Sequence, residues 1–349
     1  GDMGTLHASV GYNGREGRVN IDAHADDGDA RTDIKGYVDL RNSYINLHIY
    51  AHDTHLYFLR SFCGSFMDQI QARANGWCKV VGPLSNVNLE GDMEARGSIF
   101  VKPTGTVYTL HDARIRMVPN EIIFGRDTVV DPQGHIGIVT GGLHHNSLRH
   151  LTYDINIEAQ NLLAYNHPKK QDKESFWGIV YGTGNCRIKG GPGETTMNID
   201  LTPEKNTSLT YNAASAGDAG PSNFIRWVGL PEDSTDLQAA ADTAGHTARA
   251  TAKQALVIPG YDDIPSDLHM NFVLHTNPNL TLGVLLDETT GDNIRLNGSG
   301  IIRATYYNNG AFQLFGNYSV SYGQYNLTIQ DIIKKQFVFQ PGSTIAFGG

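Results

Sequence analysis

Histidine, aspartate, serine and glycine recur in this chain at spacings that invite a search for chemistry. His48, His52 and His55 form the densest histidine group, with His144-His145 elsewhere. On an extended strand His48 and His52 share a face, yet they lie about 13 Å apart, too far to hold one ion. Asp22, Asp26, Asp27 and Asp29 suggest calcium, but Gly28 is misplaced for the EF-hand loop, which leaves a polar hairpin. Gly298-Ser299-Gly300 is not a G-x-S-x-G nucleophile elbow and has no strand-turn-helix around it. Gly182-x-Gly184 carries Arg187 where a dinucleotide fingerprint needs its third glycine, and a strand rather than a helix follows. Spacing alone identifies no glycosidase-type carboxylate pair. These residues point to a non-enzyme without metal or cofactor. Tyr306, Tyr307, Tyr318, Tyr322 and Tyr325 could stack on sugars or pack within a sheet. A glycan-binding β-solenoid or sandwich therefore stands as the second reading.

The elements that would position any site are strands, and they repeat. Ile45, Leu47, Ile49 and Ala51 alternate with polar residues and are followed by Gly76-Trp77-Cys78-Lys79-Val80-Val81-Gly82. Tyr153, Ile155, Ile157 and Ala159 alternate in the same way before Gly184-Asn185-Cys186-Arg187-Ile188-Lys189-Gly190. Ala51/Ala159, Gly76/Gly184, Cys78/Cys186 and Gly82/Gly190 are each 108 positions apart. A looser third copy runs Leu268, Met270, Phe272, Leu274 and then Gly300-Ile301-Ile302-Arg303. Such repeats predict a stacked, elongated β-architecture in which each unit buries its apolar face only with its neighbours' help.

Composition agrees. Apolar residues make up 40% of 349 residues and glycine numbers 39, which suits many short strands better than a helix-rich globule. A net charge of −9 argues against nucleic acid as a partner, because a polyanion binder would be basic. Cys63, Cys78 and Cys186 are too few for a disulfide scaffold. The last two sit at equivalent repeat positions, a whole unit apart, where small buried hydrophobes are expected.

Val19, Ile21, Ala23 and Ala25 alternate before an Asp27-Gly28 turn, and further turns are marked by Pro103-Thr104-Gly105, Pro119-Asn120 and Asp131-Pro132-Gln133-Gly134. Connections this short favour antiparallel neighbours. Leu56, Leu59, Phe62, Phe66 and Ile70 recur at three- and four-residue spacing, which predicts one short amphipathic helix over 54–73. Residues 213–264 lack a sustained apolar stripe and read as a mobile, Ala-rich excursion, with Phe224, Ile225, Trp227 and Val228 anchoring it. The expected organisation is a β-groove with two repeats over 1–212, the excursion over 213–264, and a third repeat over 265–349.

The order of motifs resembles the C-terminal region of the TamB family, the translocation and assembly module of Gram-negative bacteria, in its Bacteroidetes-like form. The matching residues are Leu56-Tyr57-Phe58-Leu59-Arg60-Ser61-Phe62 leading to Gly76-x-Cys78-x-Val80-x-Gly82, then Leu89-Glu90-Gly91. They continue through Asn120-Glu121-Ile122-Ile123-Phe124, Asp131-Pro132-Gln133-Gly134 and Phe224-Ile225-Arg226-Trp227. The most specific stretch is the closing one, Phe315-Gly316-Asn317-Tyr318 through Gly323-Gln324-Tyr325 to Phe337-x-Phe339-x-Pro341-Gly342-Ser343-Thr344-Ile345. The resemblance implies a long sheet folded lengthwise into a groove, a β-taco, with an apolar concave face. It implies a conduit for phospholipid acyl chains between inner and outer membranes that supports outer-membrane protein assembly. It also implies a periplasmic location, with an inner-membrane anchor expected outside this sequence. The implied partner is an outer-membrane barrel protein of the TamA/BamA type, whose contact segment is expected to lie beyond Phe347.

The fold class read from the sequence is therefore all-β, an elongated and mostly antiparallel groove. Alternation sends Val19, Ile21, Ile45, Leu47, Ile49, Ile155, Ile157, Met270, Phe272 and Leu274 to one face of their strands, and these are the candidate groove-lining residues. Which face is concave does not follow from the pattern.

Overall fold

The computed structural model describes residues 5–57, 67–169, 176–213, 267–308, 312–329 and 333–348. Alternation of apolar and polar residues, punctuated by turn residues, gives strands almost throughout. The first eleven are β1 (Thr5–Asn13), β2 (Arg18–Asp27), β3 (Ala30–Asp39), β4 (Tyr44–His55), β5 (Met67–Pro83), β6 (Asn88–Val101), β7 (Thr106–Val118), β8 (Glu121–Val130), β9 (Ile136–Asn146), β10 (Arg149–His167) and β11 (Phe176–Gly191). They form an unbroken antiparallel meander. The remainder are β12 (Glu194–Pro203), β13 (Thr207–Asn212), β14 (Asp267–Thr276), β15 (Leu280–Leu285), β16 (Asn293–Tyr307), β17 (Phe312–Ile329), β18 (Ile333–Val338) and β19 (Thr344–Gly348). All belong to one sheet.

Short polar side chains fix the turns. Asp39 accepts from the backbone N–H groups of Arg41 and Asn42 and from the side chains of Asn42 and Arg18. These donors, Asn42 foremost, hold its carboxyl down at about 2. Asp131 plays the same part between β8 and β9. It accepts from the N–H groups of Gln133 and His135, from the His135 ring, and from Leu163 N on β10.

A line of irregularities crosses the sheet and bends it lengthwise. Register shifts fall between Ala51 and Thr54 on β4, Ala95 and Gly97 on β6, Phe124 and Asp127 on β8, Ala159 and Leu162 on β10, and Asn297 and Gly298 on β16. A bulge kinks its strand and increases local twist. Where the bend reaches β11 and β17, the partners are split in two. β11 pairs with β12 along one half and β13 along the other, and β17 divides its length between β19 and β18. β14 and β15 divide β16 likewise. Each long strand thus contributes to two walls on either side of a crease.

The walls meet through their apolar sides in three clusters. In the first, Leu56, Ile70 and Ala72 pack with Ala74, Ala95 and Ile115. In the second, Tyr165 and Phe176 of one wall pack on Met270, Phe272 and Tyr306 of the other. In the third, Leu282, Val284, Ile294 and Leu296 meet Leu274, Ile302, Leu314 and Tyr318. Within one wall, β7 and β10 are tied by Tyr108 Oη donating to Leu163 O (2.7 Å), and the turn before β7 by Asn166 N donating to Thr104 O (2.7 Å).

One expectation differs from this architecture. The described ends of segment 54–73 are strand, with Ile70 buried on β5, so the described residues contain no amphipathic helix. At those ends Asp53 and Gln69 adopt positive φ (52° and 45°) beside register shifts, and each shift breaks the period-2 pattern that identifies a strand. Residues 58–66, including Cys63, lie outside the described set. The sheet is mostly antiparallel, as expected, with β12 pairing with β14, and β13 with β15, in parallel. The excursion expected at 213–264 joins these pairs and, past Ala213, lies outside the described residues, as do its expected anchors.

Candidate functional site

Residues directly opposite in a ladder project to the same side of the sheet, so one face can be followed from strand to strand. Val19 stands opposite Val38, and Val38 opposite Ile45. Ile21 leads through Gly36 to Leu47, Val80 and Leu89. Ile49 leads through Cys78 and Gly91 to Met117, Ile122, Leu143 and Tyr153. Ile155 and Ile157 lie on the same face as Tyr153 and lead through Ile188 and Cys186 to Met197 and Ile199. Those two stand opposite Met270 and Phe272, and Leu201 stands opposite Leu274. All ten candidate lining residues therefore share one side of a single sheet.

That side is the inner one, because Met270, Phe272 and Leu274 meet residues of the second wall across the crease. The opposite side carries charge: Asp22, Lys35, His48, Lys79 and Glu90 follow one another across five strands. Asp154 on the same side accepts two hydrogen bonds from Arg187 (2.9 and 2.8 Å) and faces Lys189, which together hold its carboxyl at about 2.

The ten residues are not equivalent. Met270 is only 2% exposed and belongs to the core that joins the walls, with Phe272 and Leu274 packed against such cores. Val19, Ile21, Ile45, Leu47, Ile49, Ile155 and Ile157 are half-buried and outside the three clusters. The inner face is thus filled by side chains toward β14–β17 and partly open along β2–β4 and β10–β11.

The 108-residue register recurs in atomic detail. Ala51 pairs with Gly76 and Ala159 with Gly184, and Cys78 and Cys186 stand opposite Ile49 and Ile157. The bulged residues Asp53 and Asn161 have φ of 52° and 53°. Their N–H groups donate to Asn75 Oδ1 (2.8 Å) and Thr183 Oγ1 (3.0 Å), again one period apart. In the looser third copy Leu274 pairs with Ile302 and Thr276 with Gly300. Both described cysteines are free thiols, and burial pushes each up to about 11.

A comparison with protein families matches the TamB C-terminal domain over residues 125–349. The chain belongs to the TamB family. Comparisons with curated proteins and with solved structures gave no match. TamB proteins act in outer-membrane assembly as envelope transport and assembly modules rather than as known enzymes, and the single bent sheet suits that class.

In this TamB domain the expected tyrosine surface is divided. Tyr306 and Tyr318 are buried, Tyr325 packs against a core, Tyr307 stacks on His269, and Tyr322 is exposed. The histidines singled out by spacing are likewise dispersed: His48 stacks on Tyr50 and His55 faces Asp27 (3.5 Å). What spacing did not single out is His7 and His24. They are brought together because Asn13-Gly14 begins a turn that sets them opposite one another, and the Asn-Gly pair was the available signal.

Proposed function

We propose that the inner face of this TamB domain shields phospholipid acyl chains in passage between the inner and outer membranes of a Gram-negative cell. The supporting observation is the continuity of the apolar face from Val19 to Leu274 on one sheet whose other side is charged. Each methylene moved from water onto such a surface contributes about 0.8 kcal/mol before ordering costs. The half-buried stretch along β2–β4 and β10–β11 is where a chain would lie, while Met270, Phe272 and Leu274 hold the walls together. In this reading the domain works in the periplasm beside an outer-membrane barrel protein of the TamA/BamA type. Glycan binding is less well supported, since the tyrosines it would use are not on one surface.

Photo-crosslinking residues at Leu47 and Ile157, with His48 and Asn156 as outward-facing controls, test the proposal in cells. Extracted phospholipid should be captured from the inner positions. Leu47→Asp and Ile157→Asp should reduce lipid co-purification while circular dichroism keeps its β-signal, because a partly open face lets water reach the new carboxylate. Crosslinks from the outer positions alone would move the site to the other face. Outright unfolding of both variants would make these positions closed core and remove the groove.

A further inference from the structure

On the outer face of the first hairpin, His7 and His24 stand directly opposite each other in the β1–β2 ladder. Their rings stack with centroids 5.0 Å apart. Asp26, two residues along the same face, places a carboxylate oxygen 3.5 Å from His24 Nε2. One ligand atom from each of the three residues lies within 4.8 Å of the others. Tetrahedral zinc with ligand bonds of about 2.0–2.1 Å sets its ligands about 3.3 Å apart, so side-chain adjustments of about an ångström would close the set.

The neighbouring carboxylates are engaged elsewhere. Asp33, opposite His24 on β3, is gripped by two nitrogens of Arg31 (2.9 Å each). Asp22 faces Lys35 and Asp27 faces His55. Asp26 stands opposite Arg31, whose guanidinium is taken by Asp33, and has His24 as its ion-pair neighbour, so two imidazoles and one carboxylate bring their ligand atoms within 4.8 Å of one another.

We propose that His7, His24 and Asp26 bind one divalent transition-metal ion of the zinc class, with water in the fourth position, and that the ion fastens β1 to β2. Imidazole nitrogen with one carboxylate oxygen is a zinc-type donor set. Among the described residues β1 pairs with β2 alone, and its Leu6, Val10 and Tyr12 are about two-thirds exposed. Little packing holds this strand, so a metal link across the hairpin would order it.

Zinc chloride titration of tag-free protein by calorimetry tests the site, with hydrogen exchange of the β1–β2 amides as a second readout. One equivalent should bind, and amide exchange in β1 and β2 should slow on loading. His7→Ala and His24→Ala should each weaken that binding at least about tenfold, the lower bound even for groups outside the ligand sphere, and abolish the added protection. His48→Ala, on the same face but outside the cluster, should change neither. Zinc binding of equal strength in His24→Ala, binding without slowed exchange in the hairpin, or no binding at millimolar zinc would each overturn the proposal.

Discussion

Replacing Gly76 or Gly184 by alanine probes the most specific consequence of the repeat. Both glycines lie beside the crease, paired with Ala51 and Ala159, with φ of 137° and 155°. A Cβ would meet Asp92 O at 2.3 Å from Gly76, or Asp200 O at 2.1 Å from Gly184. Those oxygens belong to neighbouring strands and cannot swing aside, so relief requires the ladder to part locally. Losing two backbone hydrogen bonds costs about 0.5–1.5 kcal/mol each, and holding alanine in a glycine-only conformation adds about 1–3 kcal/mol. Alanine's smaller unfolded-state entropy returns roughly 0.4–1 kcal/mol. The net expectation is a loss of roughly 3 kcal/mol in each variant, measured by urea unfolding followed by circular dichroism. Gly11→Ala, where a Cβ meets nothing within 4 Å, serves as the neutral control. A loss below about 1 kcal/mol in both variants would refute the clash argument. One costly and one silent glycine would refute the structural equivalence of the two repeats.

Two further outcomes follow from ionisable groups. Asp39 and Asp154 have carboxyls held at about 2 in the fold, below an unfolded value of about 3.9. Their contribution to stability is therefore complete above pH of about 4 and is lost as pH falls toward 2. The urea midpoint should drop across that window, and less steeply in Asp39→Asn; an unchanged slope would remove Asp39 from the account. Cys78 and Cys186, pushed up to about 11 by burial, should react with iodoacetamide at pH 8 more than about tenfold slower in the native protein than in urea. Peptide mass spectrometry resolves the two sites, and rapid native labelling of either would mean its strand opens readily.

The strands, and the sharing of one face by the ten apolar positions, were legible because period-2 alternation ties side-chain direction directly to sequence, though which face is inner was not; the turns at Asp27-Gly28, Pro119-Asn120 and Asp131–Gly134 carried residues suited to them. The crease was not legible as such. A bulge leaves only a phase slip, signalled weakly by Asp53 and Asn161, whose side chains suit positive φ. A similar slip at Gln69 interrupts the alternation of β5 beside Ile70. Parallel pairing of β12 with β14 was hidden because it depends on a long connection, whereas the antiparallel expectation rested on short ones. The difference between Leu47 and Met270 was also out of reach, since both alternate identically. Only the approach of Tyr165 and Phe176 from the second wall separates a partly open position from a core one.

One repeat carries the chain from β4 to β10, six strands further along the sheet. With strands spaced about 4.8 Å apart, that step advances the structure by about 29 Å. Six is even, so the backbone leaves the unit on the same rim and in the same direction as it entered. Duplication or loss of a whole unit would then alter reach while leaving bore and polarity untouched, whereas inserting an odd number of strands would reverse every strand downstream. The crease residues Asp53 and Asn161 recur like graduations on a ruler, so copying a working segment would lengthen the sheet without altering its cross-section.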